Sequence, residues 1–357
     1  MSFLTRPSNM QWIWRASRWT VLSLVICFTG PAFATAGNVE PSGEAQGDCA
    51  VPPWLYPSNS PSDRVGETGP EVRLHLPGSS QAFTRAQLGN LNSAPDWHPG
   101  SHAPLPDIVA HGRAPLIYAC GYCHTPTGQG RPENAQLAGL PAAYIAEQLT
   151  KFASGTRRGA WCGPYRPSDL MIQSAQNLTA ADITGASEYF ARQVAQSRVH
   201  VVETDRVPRS RVIGLVYAIV PDAGEEPLGT RLMEFSPDAQ RHELRDDRMR
   251  YVAYAPKGSV ARGRRIASQG IEGLKSACET CHGSLLRGVS SVPALAGRSP
   301  TYLLRALFAF RTGKRSVGTS SLMQPIAAQL DTAAMIDVVA YAASLPVGDV
   351  VPSPGRR

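Results

Sequence analysis

Two short cysteine–histidine segments are the residues whose types and spacing suggest a definite chemistry. Both have the pattern Cys-x-x-Cys-His, one at residues 120–124 and the other at 278–282. Two thiols at this spacing can add to the two vinyl groups of a haem, and the adjacent histidine then points at the iron. The sequence therefore predicts two covalently attached haem c groups. Their thioether cysteines are Cys120, Cys123, Cys278 and Cys281. Their first iron ligands are His124 and His282.

Two other kinds of site could use the same cysteines. Both pairs could together hold a structural zinc ion, or either pair could form a redox-active disulfide. However, each pair has its own adjacent histidine and its own matching downstream sequence. A shared four-cysteine site would not need that duplication, so the pattern favours haem.

The second axial ligand of each iron is predicted to be a methionine, because a thioether opposite the histidine is a recurring cytochrome ligand. Met171 is the only methionine between His124 and residue 195. The second copy offers Met323 and Met335. An offset of 152 residues matches Met323 to Met171 and Met335 to the apolar position Ile183. We therefore predict Met171 and Met323 as ligands, each carried by a loop, and Met335 as a core residue.

An internal repeat positions these residues. The copies are related by an offset of 158 residues up to a glycine and by 152 afterwards, so the first copy has six extra residues. Aromatic and apolar residues recur at helical spacing in both, which predicts mainly α-helical copies. The matched pairs include Gly139 and Gly297, Tyr144 and Tyr302, Leu149 and Leu307, Phe152 and Phe310, and Gly155 and Gly313.

Helix-end signals support this interpretation. Gly155 and Gly313 suit the C-terminal ends of the aromatic helices. Thr179, with Asp182 three residues later, is a predicted N-cap for the last helix of the first copy, and Asp331 for that of the second. The repeat predicts domains over residues 106–195 and 258–346.

The segments outside the repeat are predicted to have other roles. Residues 1–36 have an arginine-containing start, a short apolar run and small residues, as in a cleaved secretory signal. An uncleaved membrane anchor is the less favoured alternative. A Pro/Gly-rich irregular extension (37–105), with a possible short helix after Thr84, precedes the first domain. Residues 196–257 form a linker in which the strand-like runs 199–202 and 212–220 could make a small hairpin. Residues 347–357 form a tail.

The charge of the chain and its remaining cysteines bear on its binding partners and its compartment. Without the three arginines of the signal, the net charge of +7 falls to +4, and no basic patch is interleaved with stacking aromatics, so nucleic-acid binding is not expected. Cys49 and Cys162 could form a disulfide in an oxidising compartment, or remain thiols. Basic residues after the aromatic helices could be solvated helix ends, which we favour, or a docking patch. They are Arg157, Arg158, Lys314 and Arg315.

With these motifs in hand, the chain resembles the tandem class I cytochromes c, specifically the two-haem type related to the cytochrome c-four group. The resemblance covers both repeat units, with Leu-Ala-Gly at 137–139 and 295–297, a tyrosine-containing helix, a methionine loop and a closing helix. It implies histidine ligands opposite Met171 and Met323. It also implies a proline whose carbonyl orients the histidine. Pro293 fits that role in the second copy, whereas the first has Ala135.

The leading functional hypothesis is a periplasmic electron carrier that is not an enzyme, since two six-coordinate haems leave no iron position open to substrate. Its redox partners, a donor and an acceptor, are not specified by the sequence. One alternative is a di-haem peroxidase-like enzyme, disfavoured by the matched methionines. Another is a cytochrome subunit of a membrane-associated dehydrogenase or oxidase.

Overall fold

The computed structural model describes residues 50–58, 72–273, 276–315 and 317–348. All of them belong to one compact unit, residues 46–357. The predicted signal peptide (1–36), Cys49 and most of the predicted tail lie outside the described residues. Among the helices in the described ranges, none combines the length and apolar character needed to cross a membrane.

The N-terminal extension contains a short hairpin and a helix. Strand β1 (Arg73–His75) pairs antiparallel with β2 (Ala82–Thr84), and α1 (Arg85–Gly89) follows directly. The Thr84 hydroxyl accepts the N–H of Gln87, and the Gln87 side chain accepts the N–H of Thr84. This reciprocal cap satisfies N–H groups that an isolated helix start leaves unpaired. The predicted short helix after Thr84 is therefore present.

The first repeat copy forms five helices. They are α2 (Asp107–Ala110), α3 (Cys120–His124), α4 (Ala142–Ala153), α5 (Arg166–Asn177) and α6 (Ala180–Ala191). Thr179 and Asp182 form a capping box at α6, as predicted. Gly155 follows α4 with φ +70°, a left-handed conformation that glycine adopts without a Cβ penalty. Their core is built mainly from α4 and α6, with α2 packed against it through Ile108 and Val109.

The linker is a β-rich unit and is larger than a hairpin. Its strands are β3 (Val199–Glu203), β4 (Arg206–Pro208), β5 (Ser210–Ile213), β6 (Val216–Ile219), β7 (Glu225–Pro227), β8 (Met233–Ser236) and β9 (Tyr251–Ala255), with α7 (Ala239–Glu243) between the last two. Five strands form one sheet in the order β3-β9-β8-β6-β5, and β4 pairs with β7.

The predicted pairing of the two strand-like runs is wrong in detail. Strand β3 pairs in parallel with β9, about fifty residues later in the chain, and the hairpin is formed by β5 and β6. The sequence pattern indicated strands at the right places. It could not indicate this pairing, because alternation identifies a strand but does not identify a distant partner.

The described residues of the second repeat copy form five further α-helices. They are α8 (Ser259–Gln269), α9 (Cys278–His282), α10 (Pro300–Arg311), α11 (Met323–Gln329) and α12 (Thr332–Ser344). Asp331 caps α12 as predicted, accepting the N–H of Ala334 at 2.7 Å. The first and last helices, α8 and α12, lie against each other. A Cβ on Gly263 would come within 1.9 Å of the Asp337 carbonyl oxygen, so only glycine permits this approach.

The six extra residues of the first copy fall in a loop that joins the two domains. Ala160 and Tyr165 from this loop are buried in the same core as the second domain's helices. Tyr56 from the N-terminal extension stacks on Trp161 and meets the edge of Tyr165. Arg305 of α10 donates to the Tyr165 hydroxyl at 2.8 Å and lies over both tyrosine rings. The insertion therefore contributes to interdomain packing.

Candidate functional site

The first cysteine–histidine segment forms the short helix α3. Cys120 and Cys123 are both free thiols, and burial raises the pKa of the Cys120 thiol to about 12. The His124 Nδ1 atom lies 2.8 Å from the carbonyl oxygen of Ala135. Burial also lowers the pKa of His124 below its usual value, which favours the neutral ring. A neutral ring that donates from Nδ1 keeps Nε2 free as a metal ligand.

The second segment, α9, repeats this geometry. Cys278 and Cys281 are free thiols, and burial raises the pKa of Cys278 to about 11. The His282 Nδ1 atom lies 2.9 Å from the carbonyl oxygen of Pro293, and burial lowers the pKa of this histidine too. Ala135 and Pro293 thus supply equivalent carbonyls, because the hydrogen bond uses the backbone and does not need the proline ring.

The two methionines lie on helices and not on loops. Met171 is inside α5, half-buried, and packs against the first domain's core together with Cys120. Met323 is the first residue of α11 and packs against the core that Cys278 also contacts. The loop expectation was wrong, since α5 begins at Arg166 with Pro167 in its first turn, a favoured position for proline. Iron ligation by these methionines stays a prediction.

Met335 has a different environment, although Met323 packs against the same core that contains it. Its side chain is fully buried in α12. It occupies the position of Ile183 in the repeat, and its burial confirms the prediction of a core residue. A methionine packed in this way fills space between helices.

The two domains meet in a pair of matching arginine–tyrosine contacts. Arg157 of the first domain donates to the Tyr302 hydroxyl at 2.8 Å, and Arg315 of the second donates to the Tyr144 hydroxyl at 2.6 Å. The repeat offset of 158 residues relates Arg157 to Arg315 and Tyr144 to Tyr302. The interface is therefore approximately two-fold symmetric, so that equivalent residues make reciprocal contacts.

This interface corrects the interpretation of the basic residues. Arg315 is buried and Arg157 half-buried between the domains, and both donate to Gln148 Oε1. They are neither solvated helix ends nor part of an exposed docking patch. Arg158 and Lys314 are exposed, with the Arg158 N–H bonded to the Lys314 carbonyl at 2.8 Å. The signal in the sequence for these arginine–tyrosine contacts was that the tyrosine and the arginine both recur at the same offset of 158 residues.

The same arginines test whether the chain fits haem. Within the described ranges, neither Arg157 nor Arg315 forms an ion pair with a carboxylate, and the Nε of Arg315 is buried without a hydrogen-bond partner. Burial and the neighbouring Arg315 lower the pKa of Arg157. Buried cations require compensating negative charge. A haem carries two propionate carboxylates, so these two arginines, of which Arg157 lies close enough to His124 to lower its pKa, fit that cofactor.

Comparison with known proteins identifies the family. No family model matches the chain. Cytochrome c-552 of Acidithiobacillus ferridurans is 38% identical over 244 residues, which are 66% of this chain and 80% of that protein. The thiosulfate dehydrogenase electron acceptor of Thiomonas intermedia is 26% identical over 65% of this chain and 81% of its own. Cytochrome c4 of Azotobacter vinelandii is 23% identical over 68% and 90% of the two chains.

Solved structures give similar matches. Acidithiobacillus ferrooxidans cytochrome c4 is 26% identical, with a TM-score of 0.42, over 63% of this chain and 98% of its own. Thiosulfate dehydrogenase of Marichromatium purpuratum is 26% identical, with a TM-score of 0.44, over 66% of this chain and 38% of its own.

The family follows from the sequence relatives. The match to cytochrome c-552 of Acidithiobacillus ferridurans covers four-fifths of that protein at 38% identity. The chain therefore belongs to the di-haem cytochrome c family of electron-transfer proteins, which includes cytochromes c-552 and c4.

Proposed function

We propose that this protein is an exported, periplasmic electron carrier with two haems, each bound by one histidine and one methionine. The observation that carries the proposal is the repeated attachment geometry, in which each Cys-x-x-Cys-His helix has its histidine Nδ1 within 2.9 Å of a backbone carbonyl. When bound, the haem supplies one-electron iron chemistry. The protein's own residues hold, orient and shield it.

Each group of residues has a separate task in this mechanism. The four motif cysteines anchor the cofactor, and His124 and His282 offer Nε2 to the iron. The carbonyls of Ala135 and Pro293 fix the ring orientation and make the imidazole a stronger donor. Met171 and Met323 would supply thioether ligands, which raise the reduction potential. Arg157 and Arg315 would provide positive charge to compensate the haem propionates.

The first test is a direct count of cofactors and ligands. The mature protein should carry the mass of two haems, begin after the signal segment, and take up two electrons in a redox titration. Met171→Ala and Met323→Ala should each keep both haems but lower one potential, by roughly 0.1–0.3 V within the ~0.8 V range that axial ligands control.

Met335→Leu is the matched control, because it replaces a buried methionine of α12 with a residue of similar volume. Its spectrum and both potentials should stay unchanged. Unchanged potentials in Met171→Ala or Met323→Ala would remove that residue as a ligand. Turnover of hydrogen peroxide by the protein would replace the carrier proposal with the peroxidase alternative.

We also propose a dehydrogenase as the electron donor. Two relatives, from Thiomonas intermedia and Stutzerimonas stutzeri, are named electron acceptors of thiosulfate dehydrogenase. Mixing the oxidised protein with a thiosulfate dehydrogenase and thiosulfate should reduce its haems within the enzyme's turnover time. No reduction under conditions that reduce a thiosulfate dehydrogenase electron acceptor would exclude this donor class and leave the carrier proposal intact.

A further inference from the structure

A buried histidine–aspartate cluster lies where the N-terminal extension meets the β-rich linker. His98 comes from the extension, and Asp246 and Asp247 follow α7. Trp97, next to His98, donates from its indole nitrogen to the Leu244 carbonyl at 2.6 Å. This bond brings the two segments together at the cluster. None of the three residues belongs to the repeat.

The spacing of the three side chains is unusual for a hydrogen-bonded cluster. The His98 Nε2 atom lies 3.5 Å from Asp246 Oδ1 and 3.8 Å from Asp247 Oδ1. Both distances exceed those of normal N–H···O hydrogen bonds. One ligand atom from each residue lies within 4.8 Å of the others. All three residues are at least 93% buried.

The two carboxylates differ in the hydrogen bonds that stabilise their negative charge. Asp246 accepts from the Arg241 Nε at 2.7 Å and from the Arg248 N–H at 2.9 Å. Asp247 accepts from the Thr127 hydroxyl through Oδ2 at 2.9 Å, but its Oδ1 is buried without a hydrogen-bond partner in the described ranges. His98 is its only ion-pair partner within 4 Å there. The unpartnered oxygen faces the histidine ring.

We propose that His98, Asp246 and Asp247 form a binding site for one divalent transition-metal ion, with zinc as the best match. Zinc takes nitrogen and oxygen ligands at 2.0–2.2 Å in tetrahedral geometry, which places ligand atoms about 3.4 Å apart. The two separations between the histidine nitrogen and the carboxylate oxygens, 3.5 and 3.8 Å, are close to that value. An imidazole ligand favours zinc over calcium or magnesium, which prefer all-oxygen sites. The metal would satisfy the buried Asp247 oxygen.

The role of this site would be structural. A metal ion here would link the N-terminal extension to the linker beside the first haem segment. Thr127, which bonds Asp247, lies three residues after His124. Arg245, directly before the two aspartates, has a left-handed backbone with φ +60° and donates to the Tyr122 carbonyl at 3.0 Å. The turn that presents the aspartates therefore also contacts α3.

The test uses the full protein with both haems attached, so that the motif cysteines cannot bind added metal. After treatment with a chelator and dialysis, the protein is titrated with zinc chloride. Elemental analysis should find one zinc for every two irons. X-ray absorption at the zinc edge should show only nitrogen and oxygen neighbours. Zinc should also raise the melting temperature, because it binds only the folded chain.

Asp247→Asn and His98→Gln should each weaken zinc binding by at least about tenfold, as expected for lost ligands. His102→Gln is the matched control, since His102 pairs with Asp96 nearby and lies outside the cluster. It should bind zinc like the unaltered protein. No retained zinc in the unaltered protein, sulfur neighbours in its spectrum, or unchanged affinity in Asp247→Asn would overturn the proposal. The first two results need no variant to fold.

Discussion

The two predicted haem attachment segments have the same motif but very different surroundings. In the first, Tyr122 is 6% exposed and every residue of the following loop, 125–133, is buried. In the second, Cys281 is exposed and residues 284–291 are mostly exposed, with Val289 at 54%. The N-terminal extension and the linker cover the first segment, whereas nothing equivalent covers the second in the described ranges.

This difference shows that the same motif can lie in two different environments within one chain. Ferric haem carries more positive charge than ferrous haem, so burial in a low-dielectric region favours the reduced form and raises the potential. We expect the first haem to have the higher potential. The exposed second segment is then the better place for exchange with partner proteins. The following predictions test this contrast, beginning with the largest expected effect.

Gly263→Ala should disrupt the second domain most strongly. The added Cβ would lie 1.9 Å from the Asp337 carbonyl oxygen and 2.8 Å from the Tyr341 Cβ, which forces α8 and α12 apart. Overpacking typically lowers the free energy of unfolding by about 1–3 kcal/mol, and we expect this very close approach to lie at the upper end of that range. Chemical denaturation of the holoprotein measures the change.

Gly185→Ala in α6 is the control for that substitution in the first domain. A Cβ at Gly185 meets no atom within 4 Å. The change should raise the free energy of unfolding by about 0.5–1 kcal/mol, because alanine loses less backbone entropy than glycine. If Gly263→Ala and Gly185→Ala destabilised the protein equally, the close approach of α8 and α12 would not be the cause of the effect at Gly263.

Arg245→Gln should reduce the difference between the two haems. Arg245 lies 3.6 Å above the Tyr122 ring and donates to the Tyr122 carbonyl, both inside the first attachment segment. Removing this charge should lower only the first potential, by about 50 mV, where 59 mV equals a tenfold change for one electron. Potentiometric titration measures both steps, and Met171→Ala identifies the first haem. Arg248→Gln removes an exposed charge three residues away and should change neither potential.

Asp182→Asn should remove stability that depends on pH. The Arg113 hydrogen bonds hold the pKa of Asp182 well below its usual value of 3.8. A lowered folded-state pKa stabilises the fold above pH ~4, and this contribution is lost as the pH falls further. The variant should therefore be less stable at pH 7, by under about 1 kcal/mol for this partly exposed pair. The difference should shrink below pH 4, as chemical denaturation at several pH values would show.

Pro293→Ala and Ala135→Pro should have the smallest effects. Both positions supply the carbonyl that receives the histidine Nδ1 bond, at 2.8 and 2.9 Å. Exchanging the residues keeps that carbonyl, so each potential should shift by less than about 30 mV, well under a tenfold change. A larger shift confined to the altered site would show that proline rigidity, and not the carbonyl alone, makes the two haems different.

Much of the fold could be predicted because the relevant signals are local. The N-caps at Thr179 and Asp331 and the helix-ending glycines all depend on residues within one or two turns. The linker sheet could not be predicted, because β3 pairs with β9 across a long separation. The helical placement of Met171 was missed because the residues after Pro167 were predicted to form a loop, whereas proline is favoured in the first turn of a helix.

The sequence by itself determined the cofactor class, because thioether attachment needs only five adjacent residues. It also determined the two-domain repeat, because matching residues recur at a fixed offset along the chain. Only the tertiary structure decided that Arg157 and Arg315 lie between the domains, that the N-terminal extension and the linker cover the first attachment segment, and that His98 meets Asp246 and Asp247. These contacts join residues up to about 170 positions apart. Burial and charge compensation depend on such packing, which a local pattern does not encode.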